Sequence, residues 1–393
     1  MTRPARTIAP ALLALAGLLS VAAAIGIGRF SFTPVLPLMV REGLLDVAQG
    51  GWLAAANYAG YLVGALTAAR VPLRAGALAV LALVATAALT AAMAWPLPAI
   101  WIPLRFLAGA ASAWAFVATS IWCLGALVDR GASRLSGRVY AGVGCGIALT
   151  GLYCLFATAA GSRSPSLWLQ LGGLVLLLAL PVFWVVAQLP LASLEPVPHL
   201  DTSPESYDGR GITGLVICYG AMGFGYIQPA TFLPVLARSV IDDPRVFGLA
   251  WPVFGATAAL STLLVARLLH GAGRLKTWAV SQLLMSVGVL LPALWTSVWT
   301  IGASALLVGG TFMVITLAGV LEMRARAPAN SARVVGRITA AFALGQIAGP
   351  VVSALSLRVG PKGLAFALAA GAISLFASGM WLWRFASLQT ATI

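Results

Sequence analysis

Acidic side chains are scarce in this chain: ten Asp and Glu stand against 24 Lys and Arg in 393 residues, and charged residues of all kinds make up only 9%. A soluble domain carries about a quarter charged residues, so an ordinary soluble protein is excluded. No polar stretch is long enough to bury a core of its own, which excludes a sizeable domain outside the membrane. Cysteine and histidine are rare too. Cys123, Cys145, Cys154 and Cys218 fall in apolar stretches without metal-ligand spacing and read as small packing residues. The sequence calls for no metal and no cofactor. A G-x-x-x-x-G-K-[ST] phosphate loop is absent, so ATP-driven transport by this chain alone is excluded. No Ser-His-Asp, His-Glu-x-x-His or Cys-His set lies in the apolar segments, and catalysis has no support.

Apolar side chains are what the chain has in abundance, 61% of residues, with a mean hydropathy of +0.98. A helix needs about 20 apolar residues to cross a bilayer, so twelve crossings take about 240 residues and leave short connections. Twelve segments bounded by charge or turn residues lie near 8–38, 48–69, 75–95, 99–123, 138–160, 166–189, 211–236, 246–268, 277–295, 298–321, 335–357 and 363–384. Arg29 and Arg105 fall inside segments. Arg41, Arg163, Arg238, Arg245, Arg358 and Lys362 lie at one set of segment ends, and the other sixteen basic residues at the opposite set. The positive-inside rule makes the richer set cytoplasmic, which puts both termini in the cytoplasm of a bacterial inner membrane. The net charge of +14 is then a topology signal and not a nucleic-acid footprint. Arg3, Arg6 and Ala22-Ala23-Ala24 imitate a signal peptide, but the apolar run continues to Met39 and reads as the first crossing.

The chain repeats itself at an offset of 197 residues: Gly26-x-Gly28 meets Gly223-x-Gly225, Leu36-Pro37 meets Leu233-Pro234, and Ala69-Arg70 meets Ala266-Arg267. At a slightly larger offset Gly137-Arg138 meets Gly336-Arg337, and Gly146 meets Gly345. Matches in the same order point to two six-helix halves in parallel orientation. The expected fold class is therefore an all-α integral membrane protein of twelve transmembrane helices in two six-helix parallel-repeat bundles. The bundles are expected at 1–189 and 211–393, joined by a polar cytoplasmic linker, 190–210, that holds four prolines, four acids and a solvated His199.

Twelve spans, a six-plus-six repeat and a central linker resemble the major facilitator superfamily of secondary transporters, and the resemblance covers essentially the whole chain. Arg105-Phe-Leu-Ala-Gly109-Ala-Ala-Ser-Ala113 is similar to that family's helix-4 pattern, and Gly345-x-x-x-Gly349-Pro350 to its glycine-proline packing motif. That motif normally belongs to helix 5, where this chain has Gly142-x-Gly144-x-Gly146 and no proline, so it does not argue for antiport. After helix 2 the family pattern places an acid; here stand Gly64, Ala68, Arg70 and Arg74. Gly26-x-Gly28-Arg29-Phe30, Pro34, Pro37 and Asn57-Tyr58-x-Gly60-Tyr61 resemble the bacterial YbfB/YjiJ group. The resemblance implies a central cavity lined by helices 1, 4, 7 and 10, with Arg29 and Arg105 near one another.

A charge near the bilayer centre costs about 2.5 kcal/mol or more and so faces a partner or a cavity. Arg29 precedes Arg41 by twelve residues, about 18 Å of helix. Every acid lies at a segment end or in a loop, so neither arginine has a mid-membrane carboxylate. An anionic substrate, carboxylate or phosphate, suits the planar guanidinium fork. Helix packing through carbonyls and side-chain oxygens would satisfy it too. Arg29 is the stronger substrate contact, and Arg105 is weighted toward structure or gating. The residue in register with Arg29 is Tyr226, a hydroxyl without charge. Asn57, Gln228, Thr231 and Gln346 offer hydrogen bonds to a substrate or between helices. Tyr140, Tyr61, Trp52, Trp114 and Trp251 offer stacking surfaces, although aromatics near span ends more often anchor at the interface. Gly142, Gly144, Gly146, Gly345 and Gly349 read as close helix contacts, where one half slides on the other. With Pro350, Arg70 and Arg267 they form the gating or packing set.

Asp129 and Glu322 are the acids nearest the spans, and each sits beside an arginine, which makes it a poor proton carrier. Facilitated diffusion or anion exchange is as well supported as proton coupling. The sequence reading is a secondary active or facilitative transporter of a small organic molecule, an anion by preference, working by alternating access. Efflux of hydrophobic compounds is the alternative, and a membrane-embedded sensor a remote one. The expected partners are the small molecule, membrane lipid and, in a coupled carrier, an ion, for a monomer that binds no nucleic acid.

Overall fold

The structure is a computed structural model that describes residues 8–189, 210–240, 243, 248–327, 331–360 and 362–390. Among them the secondary structure is helical throughout, without strands. Twelve long helices follow one another: α1 Pro10–Arg41, α2 Val47–Thr67, α3 Ala75–Ala92, α4 Pro98–Val128, α5 Ser136–Ala159 and α6 Ser164–Gln188. Then come α7 Arg210–Val240, α8 Ala250–Ala272, α9 Arg274–Leu294, α10 Val298–Arg326, α11 Ser331–Val359 and α12 Gly363–Thr390. Ten are long and apolar enough to cross a membrane. The apolar part of α8, Ala250–Val265, is shorter, and α2 is diluted by Gln49, Asn57, Tyr58 and Tyr61. Linker residues 190–209 and the side chain of Arg267 lie outside the described residues.

Helix pairing repeats with the sequence. In the first half α1 packs on α5, α2 on α4, and α3 on α6; in the second α7 packs on α11, α8 on α10, and α9 on α12. Between halves the main contacts are α2 with α11 and α5 with α8, again equivalent pairs, while α1 meets α7 near the centre. Small residues set these distances, because a helix backbone approaches another only where no side chain intervenes. A Cβ on Gly144 would strike the backbone of Ala259, and one on Gly255 the backbone of Ala148. Gly144 is thus the glycine of its motif at the α5–α8 contact. Gly142 and Gly146 face the α1 backbone at Leu18 and Ala22, while Gly345 and Gly349 face α7 at Gly220 and Ile227, so these four bind helices within a half. The Pro350 carbonyl faces Gly51 across the α2–α11 contact. Arg70 ends a short 3-10 turn after α2 and is exposed.

Helix α1 is not one regular helix. Ala22–Ile27 is π-helical, a turn follows, and the α-helix resumes at Phe32. Pro34 and Pro37 lie just beyond and supply no N–H to the preceding turn. Wide turns of this kind are rare and concentrate at functional sites, because they free backbone groups for other partners. Here the Thr33 N–H bonds to the Phe30 carbonyl at 3.2 Å and leaves the carbonyl of Arg29 without its usual helical partner. The break sits where the long charged side chain leaves the helix.

Pro234 does the equivalent in α7, depriving the Ala230 carbonyl of its N–H. The hydroxyl of Thr33 fills the gap, donating to Ala230 O at 2.8 Å. Thr33 and Ala230 are 197 positions apart, the offset of the internal repeat, so the axis relating the halves runs between them. Pro234 thus frees the carbonyl through which α7 is joined to α1.

Candidate functional site

Arg29 lies next to that axis. It is 5% exposed, and its Nη2 donates across the halves to Gln346 Oε1 on α11 at 2.5 Å. The other end of the same amide donates to the Tyr226 hydroxyl on α7. The guanidinium carbon lies 4.1 Å from the ring centre of Tyr61, 4.9 Å from Tyr58 and 5.2 Å from Phe30. Ring faces attract a cation, most of all where water is excluded. Nε is buried and has no hydrogen-bond partner among the described residues. The charge is therefore held by an amide and three aromatic rings, and the buried Nε is left without a partner.

Arg105 has a different task. Its Nη2 donates at 3.0 Å to the carbonyl of Arg29, the group freed by the α1 turn, and its guanidinium lies over Phe32, 5.0 Å from the ring centre. Asn57 Nδ2 in turn donates to the Arg105 carbonyl at 2.9 Å. The chain Asn57–Arg105–Arg29 ties α2 and α4 to the break in α1, so Arg105 and Asn57 set the position of the Arg29 backbone.

The other expected residues divide between centre and flank. Thr231 meets the Tyr58 hydroxyl at 3.2 Å and so joins the aromatic wall around Arg29 to α7. Gln228 points elsewhere: its amide donates to Phe224 O at 3.3 Å and lies against Gly349 and Gly371, between α7, α11 and α12. Tyr140 is off-centre, 3.4 Å from Ser120 and tilted against Phe116. Trp251, expected as an interfacial anchor, is 1% exposed.

Trp251 belongs to a feature that the sequence did not announce. Phe30, Trp251, Phe254, Phe312, Tyr226, Phe342, Tyr219 and Trp278 form an unbroken run of ring contacts, with centroids 5.0 to 6.0 Å apart. They come from α1, α7, α8, α9, α10 and α11, at positions with no common spacing. No one-dimensional pattern could have found them.

The described acids stay away from Arg29. Glu42 caps α6, accepting from the Ser164 N–H at 3.1 Å and lying 3.8 Å from Arg163. Asp46 caps α2 in a box with Gln49. Glu322, 6% exposed, binds Arg274 at 2.9 Å and Arg326 at 2.7 Å. No cluster of metal-binding side chains occurs among the described residues.

The halves meet at the end that carries Arg41. There Arg238 donates to the Pro37 carbonyl at 2.5 Å, and a cavity of about 40 Å³ is lined by Pro34, Pro37, Arg41, Pro234, Arg238 and Trp251, among others. Toward the end that carries Pro10 and Thr390, Tyr61, Phe116, Tyr140 and Phe342 remain half-buried. The structure is closed on the Arg41 side of Arg29.

Paired six-helix bundles, equivalent helix contacts and a polar centre on the repeat axis are the architecture of the major facilitator superfamily of transporters. The model of one family within it, described as the uncharacterised MFS-type transporter YbfB, matches residues 21–382, and the chain belongs to that family. It is a multi-pass membrane transporter for a small molecule, not an enzyme. Among solved structures, a single-residue variant of the nucleoside transporter NupG superposes with a TM-score of 0.72 at 14% identity, covering 95% of this chain and 99% of that one. Unaltered NupG gives 0.67 at 15%, over 95% and 98% of the two chains. The human organic anion transporter MFSD10 gives 0.62 at 16%, over 97% and 100%. At such identities the likeness is one of fold. No curated protein matches the chain in sequence.

Proposed function

We propose that the chain carries a small organic anion, carboxylate- or phosphate-like, across the bacterial inner membrane by alternating access, with Arg29 as the residue that holds the negative group. One observation carries this reading: the guanidinium of Arg29 is buried close to the repeat axis, has only neutral partners, and keeps an unpartnered Nε. An uncompensated charge at this depth costs about 2.5 kcal/mol or more. A chain that needed only a helix bridge there would be served by a neutral side chain. In this reading both termini are cytoplasmic, the structure represents the state closed to the outside, and 1–189 rocks against 211–393 about a midplane site. Arg105 and Asn57 keep the Arg29 backbone in place throughout. The described acids are held at helix ends, so movement down a gradient or exchange of anions fits better than coupling through a mid-membrane carboxylate.

The test is a thermal-shift screen of purified wild type and Arg29→Ala with mono- and dicarboxylates, phosphate esters, uridine, neutral sugars and tetraphenylphosphonium. The expected result is stabilisation by one class of anion in wild type and none in Arg29→Ala. Stabilisation by uridine, a sugar or tetraphenylphosphonium, unchanged in Arg29→Ala, would overturn the reading in favour of a neutral substrate or hydrophobic efflux.

A further inference from the structure

We infer that the substrate class is narrower: a planar aromatic anion, its carboxylate-like group on the Nε/Nη2 edge of Arg29 and its ring against Tyr61 and Phe342. The inference rests on the anion reading of Arg29 and adds the requirement for a ring.

The edge of the guanidinium identifies the position of the anion. Nε–H and one N–H of Nη2 point the same way and form the side-on fork that a carboxylate takes with two parallel hydrogen bonds. In the structure Gln346 Oε1 accepts from Nη2 at 2.5 Å, while Nε, the other nitrogen of the fork, is buried and unpartnered. A single amide oxygen cannot satisfy both donors at good geometry, and two carboxylate oxygens can. Gln346 thus acts as a stand-in for the anion, held in readiness by its second bond to the Tyr226 hydroxyl.

Ring faces surround the guanidinium of Arg29. Tyr61, Tyr58 and Phe30 lie within 4.1 to 5.2 Å of its carbon, and the π density of a ring face repels negative charge. A solute must come in at the edge, with the rest of its body lying among rings. Most of those rings are fully buried against one another. Among the half-buried rings on the unclosed side, Tyr61 in the first half flanks Arg29 and Phe342 in the second stacks on Tyr226. Phe342 is parallel to Tyr226 within 10°, at 5.6 Å, and Tyr226 to Phe312 at 5.5 Å, so a further flat ring beside the tilted Tyr219 would join an existing stack of three. Most polar groups nearby are engaged: Thr231 and Tyr58 satisfy each other and Asn57 Nδ2 is committed to Arg105, which leaves Asn57 Oδ1 and the Ser31 hydroxyl unpartnered among the described residues, few groups for a hydroxyl-rich solute.

Direct binding to the purified full-length chain tests this with four probes of similar size: benzoate, cyclohexanecarboxylate, benzyl alcohol and benzamidinium. Benzoate is expected to bind about tenfold more tightly than its saturated counterpart, the scale of one good aromatic contact, with no binding of the alcohol or the cation. Tyr61→Leu should reduce that ratio to near one while keeping cyclohexanecarboxylate affinity within about twofold. Equal affinity of wild type for the two carboxylates would overturn the aromatic class and leave the anion reading standing. Binding of benzyl alcohol or benzamidinium in place of both carboxylates would overturn the anion reading as well. Failure of benzoate to bind at all overturns the inference. Should Tyr61→Leu not fold, the wild-type ratio alone decides.

Discussion

Arg326 and Arg29 are both largely withdrawn from water, yet their partners have opposite chemistry. Arg326 lies 2.7 Å from the carboxylate of Glu322, which also holds Arg274; it reaches Gln389 at 2.8 Å and covers the Phe385 ring. That cluster ties the ends of α9, α10 and α12 together with opposite charges. Arg29 is deeper and has no carboxylate, only Gln346 and three rings. A guanidinium paired with an acid is committed, because separating the two leaves charges without partners. A guanidinium held by an amide can exchange that amide for a stronger acceptor. The first arrangement serves as a clamp within one half. The second bridges the two halves and can be released, as the alternating access proposed above would require of a central site.

The comparison breaks most sharply at Arg29. Replacement by Gln should lower anion transport in proteoliposomes about a hundredfold, the size expected when a charged partner is removed from a desolvated pair. Stability should stay within about 1 kcal/mol of wild type, since the charge removed has only neutral partners and its burial is itself costly. If Arg29→Gln unfolded the chain while Glu322→Gln did not, the roles assigned to the two sites would be reversed.

Glu322→Gln comes next. It leaves Arg274 and Arg326 without their carboxylate, but their side chains are 46% and 21% exposed, so water recovers part of the loss. About 2 kcal/mol of stability should be lost, below the range for a fully buried pair, seen as a lower melting temperature. Transport by the folded protein should keep its anion affinity.

Gln346→Leu sharpens the contrast from the other side. Without the amide, an empty carrier must carry the Arg29 charge unpartnered between states, a penalty of about 1.5 kcal/mol or more for a lost bond to a charged group. Net flux into anion-free buffer should fall about tenfold, while exchange of anion for anion, which never needs the empty form, should persist. Equal loss of both would mean that Gln346 contacts the substrate and does not replace it.

The sequence carried the architecture because membrane crossings leave a strong one-dimensional signal: apolar runs of fixed length, charge at their ends, and a repeat marked by Leu36-Pro37 and Leu233-Pro234. It also singled out Arg29 as a candidate, since an arginine inside an apolar run is conspicuous by composition alone. What it could not carry is who meets whom. Gln228 and Gln346 look alike as single polar residues in apolar spans, yet one is turned toward α12 and the other meets Arg29, a matter of helix rotation that neighbouring residues do not encode. The aromatic run is invisible for the same reason, being assembled from six helices. The break in α1, beside Pro34 and Pro37, was not expected from the continuous apolar run, and its consequence, a freed carbonyl capped by Arg105 from α4, needed three dimensions.

Thr33 shows how small a group can tell the two states apart. Its hydroxyl supplies the bond that Pro234 denies to the Ala230 carbonyl, on the repeat axis and toward the closed side of Arg29. When the halves part at the Arg41 end, water can reach that carbonyl, so the bond favours the closed state. Thr33→Val should therefore shift the balance by about 1 kcal/mol, roughly fivefold, toward the form open at that end. A cysteine placed at Leu38, which lines the cavity there, reads the shift as a fivefold faster reaction with a membrane-impermeant thiol reagent, in a background where the exposed Cys145 is replaced by serine. Thr33→Ser keeps the hydroxyl and should restore the slower rate. An unchanged rate in Thr33→Val would mean that the Ala230 carbonyl finds another donor and that closure at this end depends on Arg238 and the α5–α8 contact instead.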